Sequence, residues 1–219
     1  MQIAIDGPSG AGKSTIAKEL SKKLNYIYID TGAMYRSVAL YCLENNISTL
    51  DEAGITKALN NINIELKYID KTQHIFLNGE DVSEKVRSAK VTSAVPAVSA
   101  VQSVRENLVY AQQKLADGQD VVMDGRDIGT FVLPDAQVKI FLTASVEVRA
   151  NRRLKEIEAK GETVDFDELK SSIAKRDEYD SNRAISPLAQ APDAVLVDTS
   201  DMTKEEVIDH IAKIVEKKI

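Results

Sequence analysis

The sequence predicts an α/β fold in which helices cover a five-stranded parallel sheet. Short apolar runs rich in β-branched residues alternate with helical patterns along the chain. The runs are apolar on both faces, as strands buried between two helical layers should be. A glycine-rich turn follows the first run and precedes the first helical pattern, and open α/β sheets bind their ligands at this end of a strand.

The predicted elements follow in chain order. The strand pattern occurs at residues 2–6, 26–30, 121–123, 138–142 and 194–197. Apolar residues at helical spacing mark the first two helices: Ile16, Leu20 and Leu24, then Met34, Val38 and Cys42. Thr203 and Glu206 fit a capping box at the start of the last helix.

Two segments interrupt the alternation. Residues 62–82 have the alternating pattern of an antiparallel hairpin and begin an insertion at about 62–104, which precedes a helix around 105–118. Residues 159–168 form a polar loop between two helical patterns. We expect a single domain over residues 1–219 that carries both interruptions.

Composition limits the classes of partner. The 219 residues are 43% hydrophobic, enough for a core, and 34 acidic against 28 basic residues give a net charge of −6. An acidic chain is a poor ligand for polymeric nucleic acid. No apolar run approaches the ~18 residues of a membrane span, and a lone cysteine, Cys42, suits a reducing compartment. We expect a cytoplasmic protein with no membrane or nucleic-acid polymer as partner.

The glycine turn matches the phosphate-binding pattern G-x-x-x-x-G-K-[ST]. Glycines allow backbone N–H groups to point at phosphate oxygens, the lysine adds a positive charge, and the serine hydroxyl can ligate Mg²⁺. The predicted ATP-binding residues are Gly7, Pro8, Ser9, Gly10, Ala11, Gly12, Lys13, Ser14 and Thr15. The loop leaves the reaction open, since switch GTPases, motor ATPases and small-molecule kinases share it.

Arginines concentrate where strands end. All of the arginines except Arg87 lie in segments that leave strand ends or flank the polar loop near residue 160: Arg36, Arg105, Arg126, Arg149, Arg152, Arg153, Arg176 and Arg183. Arginine grips phosphate through paired donors. The number of arginines indicates a site that binds more phosphate groups than a single nucleotide carries. The alternative is a solvated helix face at 149–153 and a surface ion-pair ladder at 176–183.

Two aspartates end predicted strands. Asp124 occupies the position of a Walker-B-type acid and is expected to hold Mg²⁺ through water, with Ser14 as the other metal residue. Asp30 is a weaker candidate for the same role. Either carboxylate can instead cap the turn that follows it.

Five segments together resemble the bacterial cytidylate kinase family: the glycine loop, "IDTGAMYR" (29–36), "DGRDIGT" (124–130), "NRR" (151–153) and "KRDEYDSNRAISPL" (175–188). The resemblance covers nearly the whole chain. It implies a P-loop three-layer fold with an inserted small antiparallel β/α region and a helical lid. It also implies a monophosphate-binding region at 31–104 and a lid at 149–175.

The resemblance implies transfer of the γ-phosphoryl group of ATP to CMP or dCMP, with Mg²⁺ as cofactor and ATP and CMP or dCMP as partners. The acceptor phosphate has a second pKa of about 6, so it is ionised at neutral pH and needs no general base. A site rich in arginine and poor in histidine suits this task. The implied catalytic residues are Lys13, Arg126, Arg153 and Arg176, and Arg152 is implied to bind ATP. Nothing in the sequence demands more than a monomer.

By the same resemblance, residues from several segments bind the acceptor: Thr31, Arg36, Arg105, Arg126, Asp127, Arg176, Asp180 and Arg183. Arg36, Arg126 and Arg183 meet the phosphate. Arg176 and Asp180 meet the sugar. The spacing of Arg176, Asp180 and Arg183, four and three residues apart, would place all three on one face of a helix. Asp127 with Arg105 reads the base, because a carboxylate accepts from the cytosine N4 amino group and repels the uracil O4. Alternatively, Arg126 and Asp127 pair with each other and shape a loop.

One position departs from the family pattern, and other functions stay open. The family can carry a base-contacting serine where this chain has Pro96, with Ser99 or Ser93 as possible substitutes. The alternatives are a kinase for another acceptor, such as UMP or AMP, a GTPase switch, or a non-catalytic nucleotide-binding module. The switch would need a guanine-reading N-K-x-D segment, which the sequence lacks. Intact Lys13, Ser14 and Arg126 argue against the module.

Overall fold

The computed structural model describes residues 1–70, 72–159 and 161–218. The predicted insertion and the predicted lid each include one residue outside these ranges, at positions 71 and 160. The strands are β1 (Gln2–Asp6), β2 (Ile27–Asp30), β3 (Ile64–Ile69), β4 (Thr72–Leu77), β5 (Glu80–Asp81), β6 (Val121–Gly125), β7 (Val138–Thr143) and β8 (Val195–Asp198). The helices are α1 (Lys13–Leu24), α2 (Thr31–Glu44), α3 (Glu52–Ala58), α4 (Ala89–Ala100), α5 (Gln102–Ala116), α6 (Val146–Glu158), α7 (Phe166–Asn182) and α8 (Lys204–Glu216).

The main sheet has five strands in the described part of the chain, in the order β2-β6-β1-β7-β8. β1 pairs in parallel with β6 and β7, and β8 pairs in parallel with β7. The register places Asp6 opposite both Gly125 and Phe141, so β1, β6 and β7 end at the same edge. All five residues of β6 are buried, as expected for a covered strand. The predicted fold class is confirmed.

The insertion begins with a small antiparallel sheet of order β3-β4-β5. Its register pairs Tyr68 with Gln73 and Leu66 with Ile75 across the hairpin. Ile75 and Leu77 are buried in an apolar cluster with residues of α2, α4 and α5. The hairpin predicted at 62–82 is therefore present, and its apolar alternation faces this core.

Local signals behave as their chemistry predicts. Thr203 and Glu206 form the predicted capping box at the start of α8. Cys42 is fully buried in α2, and burial raises the pKa of its thiol, which makes it a core residue. Pro96 lies inside α4. The helix expected around 105–118 is α5, which begins three residues earlier, at Gln102.

The chain divides into two compact units. The first comprises residues 1–27 and 118–219, and the second comprises residues 28–117. The predicted monophosphate-binding region at 31–104 falls within the second unit, and the glycine loop and the predicted lid belong to the first. The single domain expected from the sequence stays a prediction.

Candidate active site

The glycine loop of the first unit connects β1 to α1 and has a backbone that only glycine tolerates at key points. Gly7 has a φ of +147°, and a Cβ there would lie 1.9 Å from the carbonyl oxygen of Leu142. Gly12 has a φ of +90° and is the N-cap of α1. Because glycine has no side chain to cap the helix, the first N–H groups of α1 can bind phosphate oxygens.

Lys13 is buried at the first position of α1, and its Nζ donates to the carbonyl oxygen of Pro8 at 2.7 Å. Burial, followed by the positive charge of Arg126, lowers the pKa of Lys13 well below its usual value. Asp124 and Asp6 oppose this shift, and Arg176 adds to it. Phosphate groups beside Lys13 would favour its charged form, so the site is built for an anionic ligand.

Ser14 and Asp124 are brought together at the same edge of the sheet. The Ser14 hydroxyl donates to Oδ2 of Asp124 at 2.8 Å, and Asp124 is buried near the end of β6. A hydroxyl and a carboxylate are oxygen ligands of the kind that Mg²⁺ prefers. The described residues contain no cluster of three or more histidine, cysteine or acidic side chains suited to a metal.

Asp6 is a residue of this site that the sequence analysis did not select. It is buried at the end of β1, and its two carboxylate oxygens accept from the backbone N–H groups of Ile128 at 2.8 Å and Gly129 at 2.7 Å. Burial raises the pKa of Asp6 to about 6, although the two hydrogen bonds lower it. The sequence did contain a signal for Asp6, because it ends the predicted strand 2–6. Asp30 and Asp124 were selected for the same reason, since each of them follows or ends a predicted strand.

Two ion pairs join the loop after β6 to the end of α7. Nε of Arg126 donates to Oδ2 of Asp180 at 3.1 Å, and Nη2 of Arg183 lies 3.7 Å from Oδ1 of Asp127. Both aspartates are buried. The structure therefore brings four of the predicted acceptor residues together, and the partner of Arg126 is Asp180, not Asp127.

The sequence expectation of one helical face at 176–183 needs a correction. α7 ends at Asn182, and Arg183 follows it with extended backbone angles (φ −63°, ψ 143°). Arg176 and Asp180 are one turn apart in α7 and share a face, but Arg183 is placed by the turn after the helix. Nε of Arg183 donates to the carbonyl oxygen of Ser186 at 2.7 Å, which fixes its direction.

The arginines of α6 have three different environments. Arg149 is buried, and its guanidinium bonds the carbonyl oxygen of Ser9 at 2.9 Å and Asp177 at 2.6 Å, so it braces the glycine loop against α7. Arg152 bonds the hydroxyl and carbonyl oxygens of Thr199. Arg153 is exposed and pairs with Glu156 at 2.8 Å. The solvated-face alternative thus describes Arg153 but not Arg149.

In the second unit, Asp30 forms an ion pair with Arg36, one of the predicted phosphate-binding arginines. Oδ1 of Asp30 accepts from the N–H of Ala33 at 2.9 Å and caps α2, whose first residue is the buried Thr31. Nη2 of Arg36 donates to Oδ2 and Oδ1 of Asp30 at 2.9 and 3.2 Å. The alternative reading of Asp30 as a helix cap is confirmed.

Arg105 is also in the second unit, on α5. It is 2% exposed; its Nη1 donates to the carbonyl oxygen of Ser99 at 3.1 Å, and its guanidinium carbon lies 5.3 Å from the ring centre of Tyr35. The hydroxyl of Ser99 is bonded to the carbonyl oxygen of Pro96, and that of Ser93 to Lys90. A buried guanidinium is stable only where hydrogen bonds and charges surround it, so these contacts are part of the network that holds Arg105.

Arg87 is the arginine that the sequence analysis set aside. Its Nη2 lies 3.8 Å from Oδ2 of Asp30, so two guanidinium groups face one buried carboxylate. Arg87 belongs to the insertion, in the short 3₁₀ turn Lys85–Arg87. Its spacing from the other arginines gave no signal, because the contact depends on how the insertion folds back onto the end of β2.

The glycine loop between β1 and α1, braced by arginine and facing a strand-end carboxylate, defines a P-loop nucleotide-binding fold. The solved shikimate kinase of Bacteroides thetaiotaomicron has this fold, with a TM-score of 0.50 at 14% identity over 99% of this chain and 98% of that chain. Within the described residues, no helix has the length and apolar character that a membrane crossing needs.

The family follows from sequence comparison. The cytidylate kinase family model matches residues 3–217. A cytidylate kinase of Leuconostoc mesenteroides is 52% identical over 218 residues, which are 100% of this chain and 97% of the relative. A cytidylate kinase of a Geobacillus species is 51% identical over 219 residues, 100% of this chain and 98% of the relative. The chain belongs to the cytidylate kinase family.

Proposed function

We propose that this protein transfers the γ-phosphoryl group of ATP to CMP or dCMP, giving ADP and CDP or dCDP. Family membership supports the reaction. The observation that carries the chemistry is a cluster at the end of β6: Ser14 of the glycine loop bonds Asp124 at 2.8 Å, and Asp180 holds the guanidinium of Arg126 at 3.1 Å. The positive charge of Arg126 opposes the mutual repulsion of two polyanionic substrates.

The transfer needs no protein base. A phosphate oxygen of the acceptor, already ionised, forms a bond to the γ-phosphorus, and the bond from that phosphorus to the β–γ bridging oxygen breaks. The bridging oxygen keeps the electron pair and leaves as part of ADP. The protein aligns the two oxygens and neutralises charge. Lys13, Arg126 and Arg176 do this from the first unit. Arg153, which is exposed and paired with Glu156 in this structure, would complete the catalytic set only after the proposed lid closes.

Acceptor recognition divides among side chains by chemistry. Arg36, Arg126 and Arg183 bind the phosphate, and Thr31, the first residue of α2, is a further acceptor contact in this assignment. Asp180, with Arg176, binds the sugar. In this assignment the Arg126–Asp180 ion pair of 3.1 Å links phosphate recognition to sugar recognition.

Base recognition rests on Asp127 and Arg105. The Asp127 carboxylate accepts from the cytosine N4 amino group, and Arg105 supplies donors for the O2 and N3 acceptors. Asp127 is held by Arg183, and Arg105 is held by the carbonyl oxygen of Ser99. Both side chains are 2 to 3% exposed, so their directions are set before substrate arrives.

Ser14 and Asp124 would hold Mg²⁺, Ser14 directly and Asp124 through water. When bound there, Mg²⁺ would neutralise charge on the ATP phosphates. Arg152 binds ATP near the loop after β8. The segment 149–175 is proposed as the lid, whose closure would exclude water that competes as acceptor. We place the enzyme in the cytoplasm as a monomer.

A coupled ADP-release assay tests the proposal, with ATP and Mg²⁺ and a panel of CMP, dCMP, UMP and AMP. CMP and dCMP are expected to support turnover far better than UMP and AMP. A Lys13→Ala variant serves as the control for contaminating activity. ADP release that no monophosphate stimulates would refute the proposed function, and a preference for UMP or AMP would replace the acceptor.

A further inference from the structure

Among the residues that the structure describes, β2 is the edge strand of the main sheet, and no strand pairs with one side of its backbone. In an extended strand, successive peptide groups point to opposite sides. The N–H of Ile27 donates to the carbonyl oxygen of Asp120. The N–H groups of Tyr28 and Asp30 point to the other side of the strand, where they donate to side chains of the insertion. Exposed edges of this kind need cover, because their N–H and C=O groups otherwise invite another chain.

Two side chains of the insertion bond this edge in place of a strand. The hydroxyl of Tyr68 accepts from the N–H of Tyr28 at 2.7 Å and donates to the carbonyl oxygen of Tyr28 at 2.5 Å. Nε2 of Gln73 donates to the same carbonyl at 2.6 Å, and Oε1 of Gln73 accepts from the N–H of Asp30 at 3.1 Å. Tyr68 and Gln73 are direct cross-strand partners in the β3–β4 hairpin.

The bonded edge ends at the residue that holds Arg36. Gln73 bonds the backbone of Asp30, and the carboxylate of Asp30 caps α2 and bonds Nη2 of Arg36. Arg87 of the insertion lies on the same carboxylate at 3.8 Å. The insertion therefore contacts both the backbone and the side chain of Asp30, and a shift of the hairpin would move the group that orients Arg36.

We propose that Tyr68 and Gln73 are positioning residues for the acceptor phosphate, acting through Asp30 and Arg36, and that this is a task of the insertion. The inference rests on the proposed function, in which Arg36 binds the phosphate of CMP. Neither side chain needs to touch substrate. Their contribution is to fix the end of β2, so that the Arg36 guanidinium is held in place before CMP binds.

The test is steady-state kinetics of Tyr68→Phe and Gln73→Met, with Tyr110→Phe as the matched control. Tyr110 is 69% exposed on α5. Each of the two variants removes hydrogen bonds while keeping most of the side-chain volume. We expect the KM for CMP to rise about three- to tenfold, the size of one or two lost hydrogen bonds. The KM for ATP should change less than twofold, and Tyr110→Phe should match the natural chain.

Repeating Tyr68→Phe in an Arg36→Ala background distinguishes a positioning role of Tyr68, which acts through Arg36, from a purely structural role. If Tyr68 acts through Arg36, the second substitution should add less than a twofold change in the KM for CMP. A full three- to tenfold effect in that background would overturn the inference, as would equal changes in the KM values for CMP and ATP. The activity of the natural chain tests the proposed function separately, because failure to phosphorylate CMP would refute that function. If the natural chain is active and the variants have unchanged KM values for CMP, only the positioning role is refuted.

Discussion

Asp180 holds Arg126 through an ion pair of 3.1 Å between Oδ2 and Nε, and the Asp180 side chain is 5% exposed. The pair connects α7 to the loop after β6, two segments 54 residues apart in the chain. The pair fixes the orientation of the Arg126 guanidinium, whose positive charge contributes to the lowered pKa of Lys13. Its removal should therefore affect catalysis beyond any contact with the sugar.

Asp180→Asn should lower kcat/KM for CMP by about 30-fold or more, since loss of roughly 2 kcal/mol of alignment corresponds to that factor. The amide keeps the shape but loses the charge that pairs with Arg126. Steady-state kinetics with CMP and dCMP measures the effect. A loss confined to one of the two sugars would assign Asp180 to sugar reading alone and contradict the positioning of Arg126.

Asp127→Asn should reduce kcat/KM for CMP by about 10- to 100-fold, the range of one lost base-specific contact, and change UMP much less. An amide can donate to the uracil O4, whereas the carboxylate repels it. The readout is the ratio of kcat/KM for the two acceptors. Equal losses for CMP and UMP would remove Asp127 from base recognition.

Ser14→Ala should raise the Mg²⁺ concentration needed for half-maximal activity by about 10- to 100-fold. The hydroxyl that now lies 2.8 Å from Asp124 would be lost as a ligand. Ser14→Thr is the matched control, because it keeps the hydroxyl and the loop pattern accepts either residue. A Mg²⁺ titration of both variants decides the role, and an unchanged requirement in Ser14→Ala would contradict it.

Asp6 makes the stability of the fold depend on pH. Its pKa is raised from 3.8 to about 6 by burial, with Asp127 raising it further and Lys13 and the two backbone hydrogen bonds lowering it. The folded chain therefore holds this proton more tightly than the unfolded chain. The contribution of Asp6 to the free energy of unfolding falls as pH rises through this interval, by roughly 3 kcal/mol in total.

Asp6→Asn removes that titration. The free energy of unfolding of Asp6→Asn, relative to that of the natural chain, should rise by up to roughly 3 kcal/mol between about pH 4 and about pH 7. The asparagine amide has one acceptor oxygen for two N–H groups, so the substitution also lowers the free energy of unfolding by an amount that does not depend on pH. This constant loss cancels when the differences at two pH values are compared. Urea unfolding at several pH values measures it. A difference that does not vary with pH would show that Asp6 has an ordinary pKa.

Local patterns were sufficient to predict most of the fold. The five strands, the hairpin after residue 62 and the capping box at Thr203 follow from periodicity and turn chemistry, which act over a few residues. Gly7, Lys13 and Ser14 were identified because the phosphate loop is itself a local motif. In each of these features, residues that are close together in the sequence determine the conformation.

The contacts between distant segments were not predictable in the same way. The Arg126–Asp180 and Arg183–Asp127 pairs, the Asp6 bonds to Ile128 and Gly129, and the Tyr68–Gln73 contacts with β2 depend on tertiary packing. The sequence offered pairing of Arg126 with the adjacent Asp127 only as an alternative, and it gave no sign of the pair with Asp180. Arg183 was assigned to a helical face because spacing does not reveal that α7 ends one residue earlier.

The most direct test of the account is the affinity of a bisubstrate mimic, adenosine and cytidine joined 5′–5′ through five phosphates, measured by calorimetry on the natural chain and on Arg126→Gln. We expect the mimic to bind far more tightly than ATP or CMP alone and to lose at least about tenfold in affinity with Arg126→Gln. A mimic that binds no better than ATP alone, and is indifferent to Arg126, would contradict the claim that this site brings the two nucleotides together.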